Sequence, residues 1–206
     1  MARQKGFVKM TVKNDNFDKL IKALDDLDKY SVEVGIFASD DSFYAMIANV
    51  HEYEITIKPK KQFLTIPTKE ADGRKASDIP GLFKPKGKNV LAVQDGDNLK
   101  VMFILVKSVT IPERSFVRST FDEKNDEWVQ FMERLIDKVL AFEIDAKTLF
   151  ERVGAKAAAD IQEKITILRS PGNSPITMEN KGSSNPLIDT GGLRARVTWR
   201  VVERNA

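Results

Sequence analysis

The chain has no cysteine and a single histidine in 206 residues. Without cysteine it has no disulfides, no thiolate zinc site and no cysteine nucleophile, and no redox compartment can be inferred. One histidine, His51, leaves little for a metal: an HExxH pair fails because Ile55 stands where the second histidine would be. His51 therefore reads as a helix-end residue making a cap or tertiary hydrogen bond. No apolar run approaches the roughly eighteen residues of a membrane span. The opening MARQKGFVKM has basic residues but no apolar segment behind them of the kind a signal peptide needs. The expectation is a soluble chain made in the cytoplasm, with no membrane partner. The phosphate loops GxGxxG and GxxxxGK[ST], the nucleophile elbow GxSxG and metal-ligand clusters are all missing, so no catalytic residue, metal or cofactor is expected. Neither sign of charge dominates, with 33 Lys and Arg against 30 Asp and Glu for a net +3, more balanced than is usual in a dedicated nucleic-acid binder.

What is present is enough apolar residue, 42%, to bury a core over one domain spanning 1–206. Residues 7–12 alternate like a short strand. Asn16 looks like a cap for a helix over 17–27, with Phe17, Leu20, Ile21, Leu24 and Leu27 on one side. SVEVGIF at 31–37 alternates as a strand, and Gly35 in it points to close backbone approach. Asp40, Asp41 and Ser42 precede a helix over 43–52 whose inner side carries Tyr44, Ile47, Ala48 and His51. Strands follow at EITIK and QFLTIP. Residues 89–93 and 99–109 make a hairpin about Asp95-Gly96-Asp97-Asn98. VMFILV within it suits a central strand covered on both faces. A short helical turn over 113–119 leads to two long helices, 121–142 and 145–168, the second capped by Asp145 and lined by Leu149, Val153, Ala157, Ile161, Ile165 and Leu168. Asp and Glu on these helices mostly stand in i, i+4 relation to Lys or Arg, which solvates a helix. The sum is an α+β fold: one mixed or antiparallel sheet packed by two long helices, with two loop excursions. The first, 68–88, is an extended loop or arm with an apolar knot at Ile79, Leu82 and Phe83. The second, 169–185, is a long loop expected to be mobile unless a neighbour holds it.

The stretch 185–202, NPLIDTGGLRARVTWRVV, organises the rest. Pro186 discourages helix at Asn185, Asp189 and Thr190 can bond nearby backbone, and Gly191-Gly192 opens backbone angles closed to other residues. Val197, Trp199 and Val201 then alternate with Arg196, Thr198 and Arg200 as a strand with one apolar and one basic face. A DTG triplet is also found in aspartic-protease loops, but that family's strand pairs and second Asp motif are missing, and capping and turn geometry explain the segment better.

PLIDTGGLR, with KGSSN before it, resembles the C-terminal signature of the tailed-phage virion-morphogenesis family, the tail-completion or neck proteins of the Mu type. Two segments agree in order: IANVHEY at 47–53, similar to the family's A-x-x-H-E-[FY], and IPERSFVR at 111–118, similar to its IP-x-RPF-[IL]-R. Two departures stand out. Glu54 takes the place of a common Gly, and Ser115 that of the second Pro. The resemblance implies a structural protein of the head-to-tail junction in the virion neck or tail, synthesised in the host cytoplasm. It implies a homo-oligomer, a ring of six subunits, between a connector or head-closure protein and a tail terminator or tail tube protein, with genome DNA passing through its channel. Assembly rather than catalysis would be its mechanism, with the loops 68–88 and 169–185 ordering at subunit boundaries.

Candidate interaction residues are basic. Lys84, Lys86 and Lys88, with Lys58, Lys60 and Lys61, form two Pro-interrupted runs, and Arg194, Arg196 and Arg200 line the last strand. They read either as a solvated face or as a rim near DNA or an acidic partner. Arg114 and Arg118 flank Phe116, either to anchor the motif to an acidic partner or to the sheet edge, or to form an internal ion pair with Phe116 in the core. The alternative function is a basic accessory protein that binds double-stranded DNA non-specifically. No helix combines basic residues with base-reading Asn, Gln or Arg, and aromatics are not interleaved for stacking, so any DNA contact would be electrostatic.

Overall fold

The computed structural model describes residues 16–204; the strand expected at 7–12 lies outside them. The chain folds as α+β, with six helices and seven strands among the described residues. Helix α1 (Phe17–Lys29) runs straight into β1 (Tyr30–Gly35), and α2 (Ser42–Glu52) follows. Asp41 caps α2, its carboxylate accepting from the Tyr44 N–H at 3.2 Å. Strands β2 (Ile55–Ile57), β3 (Leu64–Pro67), β4 (Val90–Asp95), β5 (Asn98–Val106) and β6 (Val109–Ile111) occupy the middle of the chain. Two long helices come next, α3 (Arg118–Leu140) and α4 (Ala146–Ile167), then short α5 (Pro175–Lys181) and α6 (Gly192–Ala195), and finally β7 (Thr198–Glu203).

The strands do not share the one sheet that the sequence pattern suggests, but form three antiparallel ones: β1-β7, β2-β6 and β3-β5-β4. The reason is topological. β7 finds its partner in β1, with Val34 opposite Trp199 and Val32 opposite Val201. β2 and β6, only three residues each, pair with each other and hold the other three strands out as a separate head. Pro59 follows one of these short strands and Pro112 the other, and a missing N–H stops the ladder from spreading.

The body, built on α1 to α6 with β1 and β7, has two apolar clusters. One gathers Phe116, Ile161, Ile165, Leu187, Leu193 and Val197. The other gathers Leu135, Val139, Leu149, Phe150 and Val153, with Leu27 and Tyr30 against it. Both rest on α4, whose expected face of Leu149, Val153, Ala157, Ile161 and Ile165 is buried along its length. Asp145 caps that helix through the Thr148 N–H at 2.7 Å. Close backbone approach occurs here at Gly154, where an added Cβ would lie 2.6 Å from the Trp199 ring and 2.7 Å from Val32. At Gly35, where the sequence placed it, nothing lies within 4 Å of such an atom.

The head has its own core of Ala71, Ile79, Met102 and Phe103. Met102 and Phe103 are neighbours on opposite faces of β5 and both are buried, so the central strand is covered on both sides. What covers it is 68–88. Expected as an extended arm, this segment folds back on its own sheet through two 3₁₀ turns, Lys69–Ala71 and Ala76–Asp78. Thr68 Oγ1 donates to the carbonyls of Val101 and Met102 at 2.8 and 3.0 Å, and Phe83 exchanges two backbone bonds with Ala92. The segment's few apolar residues are the ones the three-strand sheet lacks on its own.

Candidate functional site

The three segments that carry the family resemblance meet in the body, and Glu52 is where two of them join. Glu52 is the last residue of α2, a position the helix dipole disfavours for an acid. The residue is only 5% exposed. One carboxylate oxygen accepts the Phe116 and Val117 N–H groups, both at 2.7 Å. The other accepts Ser115 Oγ at 2.9 Å and Arg118 Nε at 3.3 Å. Arg118 also reaches the Glu52 carbonyl and Glu113 Oε1, and its guanidinium lies 4.6 Å from the Tyr53 ring centre. The orphan amides at the start of α3 are thus capped by a carboxylate from another helix. That explains why residues 113–117 are not the helical turn the sequence predicted: they wrap around Glu52, and helix begins only at Arg118.

Arg114 turns the other way. It is 5% exposed, and it donates to the carbonyls of Pro171 at 2.7 Å and Gly172 at 2.8 Å. Its N–H bonds the His51 carbonyl at 2.7 Å, and its guanidinium stands 3.4 Å from His51 Nδ1. So 169–185, expected to be mobile unless a neighbour holds it, is held by its own chain. Lys181 and Asn185 complete the clasp: Lys181 Nζ donates to the Asn185 carbonyl at 2.8 Å, and Asn185 caps the Leu187 and Ile188 N–H groups while bonding the Thr166 carbonyl. Of the two readings of the arginine motif, the internal one holds. Phe116 is fully buried between Arg114 and Arg118, and both arginines bond within the molecule.

PLIDTGGLR closes the knot. A Cβ at Gly192 would overlap the Tyr44 ring, so the second glycine of DTGG is what lets α2 seat against α6. Tyr44, Ile47 and His51 face Pro186, Leu187, Asp189 and Leu193 across a cavity of about 220 Å³. The His51 ring is pushed down to about 4 by burial first, then by the Arg114 and Lys181 charges, with Glu52 opposing. It is neutral at pH 7 and serves as a hydrogen-bonding part of the wall. Burial also lowers the Lys181 ammonium, against the pull of Asp189. Sequence reasoning missed Glu52; the one available signal was an acid at the C-terminal end of a helix.

The departures from the family pattern fall at informative places. Glu54, where the pattern carries Gly, has φ of 46°, a left-handed conformation that glycine takes without strain. Among the described residues the N–H of Ser115, at the pattern's second Pro, donates no hydrogen bond, so the missing donor of a proline would cost nothing there.

The basic candidates divide. Arg196 pairs with Asp41 at 3.2 Å and lies over Tyr44; Arg200 pairs with Asp40 at 2.5 Å and lies over Phe37. Both tie the last strand to the loop before α2, while Arg194 is exposed on α6. Lys84, Lys86 and Lys88 are exposed on the head, in a different sheet unit from the knot. Residues 58–108 carry eleven Lys and Arg against five Asp and Glu, net +6, and the remainder carries 22 against 25, net −3. No family model matches the chain, no curated protein matches it, and no solved structure matches it.

Proposed function

We propose that this chain is a structural component of a tailed-phage head-to-tail junction, a neck or tail-completion protein that assembles into a ring between connector and tail tube. The carrying observation is that the three segments resembling that family close on one another, two at Glu52 and the third against Tyr44, with Glu54 in a glycine-type conformation where the family pattern has glycine. The groups in the knot act on backbone. Glu52 caps a helix, Arg114 and Lys181 hold a loop, and His51 is a wall, which is the chemistry of a rigid part rather than of a reacting site. Apolar surface for a neighbouring subunit is at hand. Ile21 and Leu24 are 43% and 50% exposed on one side of α1, while Phe121 stands out from α3. A single exposed side chain means little, but a stripe along one helix marks an interaction face.

The test is the mass of the purified chain by light scattering at low and high concentration, alone and mixed with candidate neighbouring virion proteins. A closed multimer, weakened by Ile21→Ser with Leu24→Ser, is expected. A monomer in every mixture would end the ring reading.

A further inference from the structure

The lysines of the head collect at one end of its sheet. β3 begins opposite the end of β5, with Leu64 paired to Val106, and β4 begins beside the same end, with Val90 paired to Ile104. Lys58, Lys60 and Lys61 precede β3, Lys84, Lys86 and Lys88 precede β4, and Lys107 follows β5. The fold therefore brings two runs some twenty-five residues apart into one cluster at the root of the head, and a direct contact fixes it: Lys84 Nζ lies 4.6 Å from the centre of the Phe63 ring. The three segments 55–69, 79–94 and 98–112 contain no Asp or Glu. The head's five acids fall outside these segments: Asp95 and Asp97 at the opposite turn, Glu70 paired to Lys100, Asp72 beside Thr68, and Asp78 at the end of the second 3₁₀ turn. None of the seven lysines makes an ion pair among the described residues. Glu54 and Glu113 flank the β2-β6 pair on its body side, and Glu113 is paired to Arg118.

We infer that this lysine-lined end of the β3-β5-β4 sheet is a binding surface for the phosphate backbone of duplex DNA, without base recognition. Three features choose this occupant. Protein interfaces are enriched in aromatics and arginine and depleted in lysine, whereas this surface carries seven lysines and no arginine. Lysine is a mobile point charge that suits a phosphate array and does not give the bidentate fork that reads guanine. Single strands bind by stacking successive bases on a series of free aromatic faces, and here Phe63 is covered by Lys84, which leaves Phe83 as a single exposed ring beside the lysine runs. The inference stands without the junction reading, since it needs only the isolated chain.

The experiment is fluorescence anisotropy with a labelled duplex of arbitrary sequence over a series of salt concentrations. Oligomeric fractions are separated beforehand, so that failure of the ring leaves this result intact. With four or five phosphates neutralised, log K is expected to fall with log[salt] at a slope of about −4, roughly 10²-fold or more between about 50 and 200 mM. Two unrelated duplex sequences should bind alike. Replacing Lys58, Lys60 and Lys61 by Gln should flatten the slope by roughly one for each phosphate no longer neutralised, and replacing Lys84, Lys86 and Lys88 as well should abolish binding. Gln at Lys19, Lys138 and Lys147, exposed on the body, should change little. Absence of duplex binding at low salt would overturn the proposal, as would binding indifferent to the six-lysine variant or tighter for single strands. Polyglutamate of matched charge competing as well as the duplex would also overturn it, in favour of an acidic protein partner.

Discussion

The body and the head handle charge in opposite ways. Among the described residues five of the body's arginines are anchored: Arg114 to carbonyls, Arg118 to Glu52 and Glu113, Arg196 to Asp41, Arg200 to Asp40 and Arg204 to Asp28. The head has ten lysines to one arginine, and among the described residues its one ion pair is Lys100 with Glu70. A planar guanidinium satisfied on several sides is a structural strut, whereas an ammonium on a flexible stem with no partner is a charge offered to something outside. Packing follows the same division. The body's core is laid along one long helix and stapled by side chains reaching across more than fifty residues. The head's core is local, a hairpin closed by the segment between two of its strands.

Breaking the staple should separate the two regions most sharply. Glu52→Ala removes the acceptor for two N–H groups at the buried start of α3 and leaves them without partners. The expected cost is about 3–4 kcal/mol, a fall of about 10 °C in melting temperature for a chain of this length. Glu52→Gln keeps one acceptor and should cost about half as much. Amide exchange should speed up in α3 and in 169–185 while protection of Met102 and Phe103 in β5 persists. Loss of protection in β5 to the same degree would mean that head and body unfold as one unit.

A smaller effect comes from acid. His51 titrates near 4 in the fold against an ordinary 6.5, so the unfolded chain takes up the proton first. Its contribution is complete above about pH 6.5, declines as pH falls, and is gone below about 4. Because water still reaches part of the ring, the loss from pH 7 to pH 5 should be no more than about 2 kcal/mol. Glu127, held down to about 2 by hydrogen bonds from Lys156 and Lys124, titrates below that window. Urea midpoints at the two pH values check it: His51→Gln should flatten the difference. An equal drop in the variant would place the acid sensitivity elsewhere.

Much of this was legible in the sequence because it is periodic. The apolar spacing of 145–168 located α4 and its buried face, and Asp145 and Asp41 announced their caps. Strand alternation found β1 and β7, but periodicity carries no information about partners, so three sheets looked like one. Residues 68–88 resembled an arm because its apolar residues are sparse; only the bare face of β5 shows that Ala71 and Ile79 suffice. The glycines were misassigned for a related reason. Gly35 lies in a strand, where glycine is conspicuous, whereas Gly154 lies in a helix rich in alanine and is needed only because Trp199 comes from elsewhere. The knot was half visible: its motifs could be named from their order, but not the carboxylate that joins them, because a contact across sixty-four residues leaves no local trace.

The finest division is in what the lysines do for stability. If the lysine end of the head is a binding surface and not a structural one, changing Lys58, Lys60, Lys61, Lys84, Lys86 and Lys88 to Gln should leave folding within about 0.5 kcal/mol of the parent. The sign should be favourable, because unpaired like charges brought together by folding repel. Added salt should stabilise the parent's head by screening that repulsion and should do less for the variant. Arg200→Gln makes the opposite comparison, since it removes a cation paired to Asp40 and stacked on Phe37 and should destabilise the body slightly. Paired melts of the two variants at low and high salt decide it. A head destabilised by losing its lysines would show that they support the fold, and that the contrast between an anchored body and an unpartnered head is false.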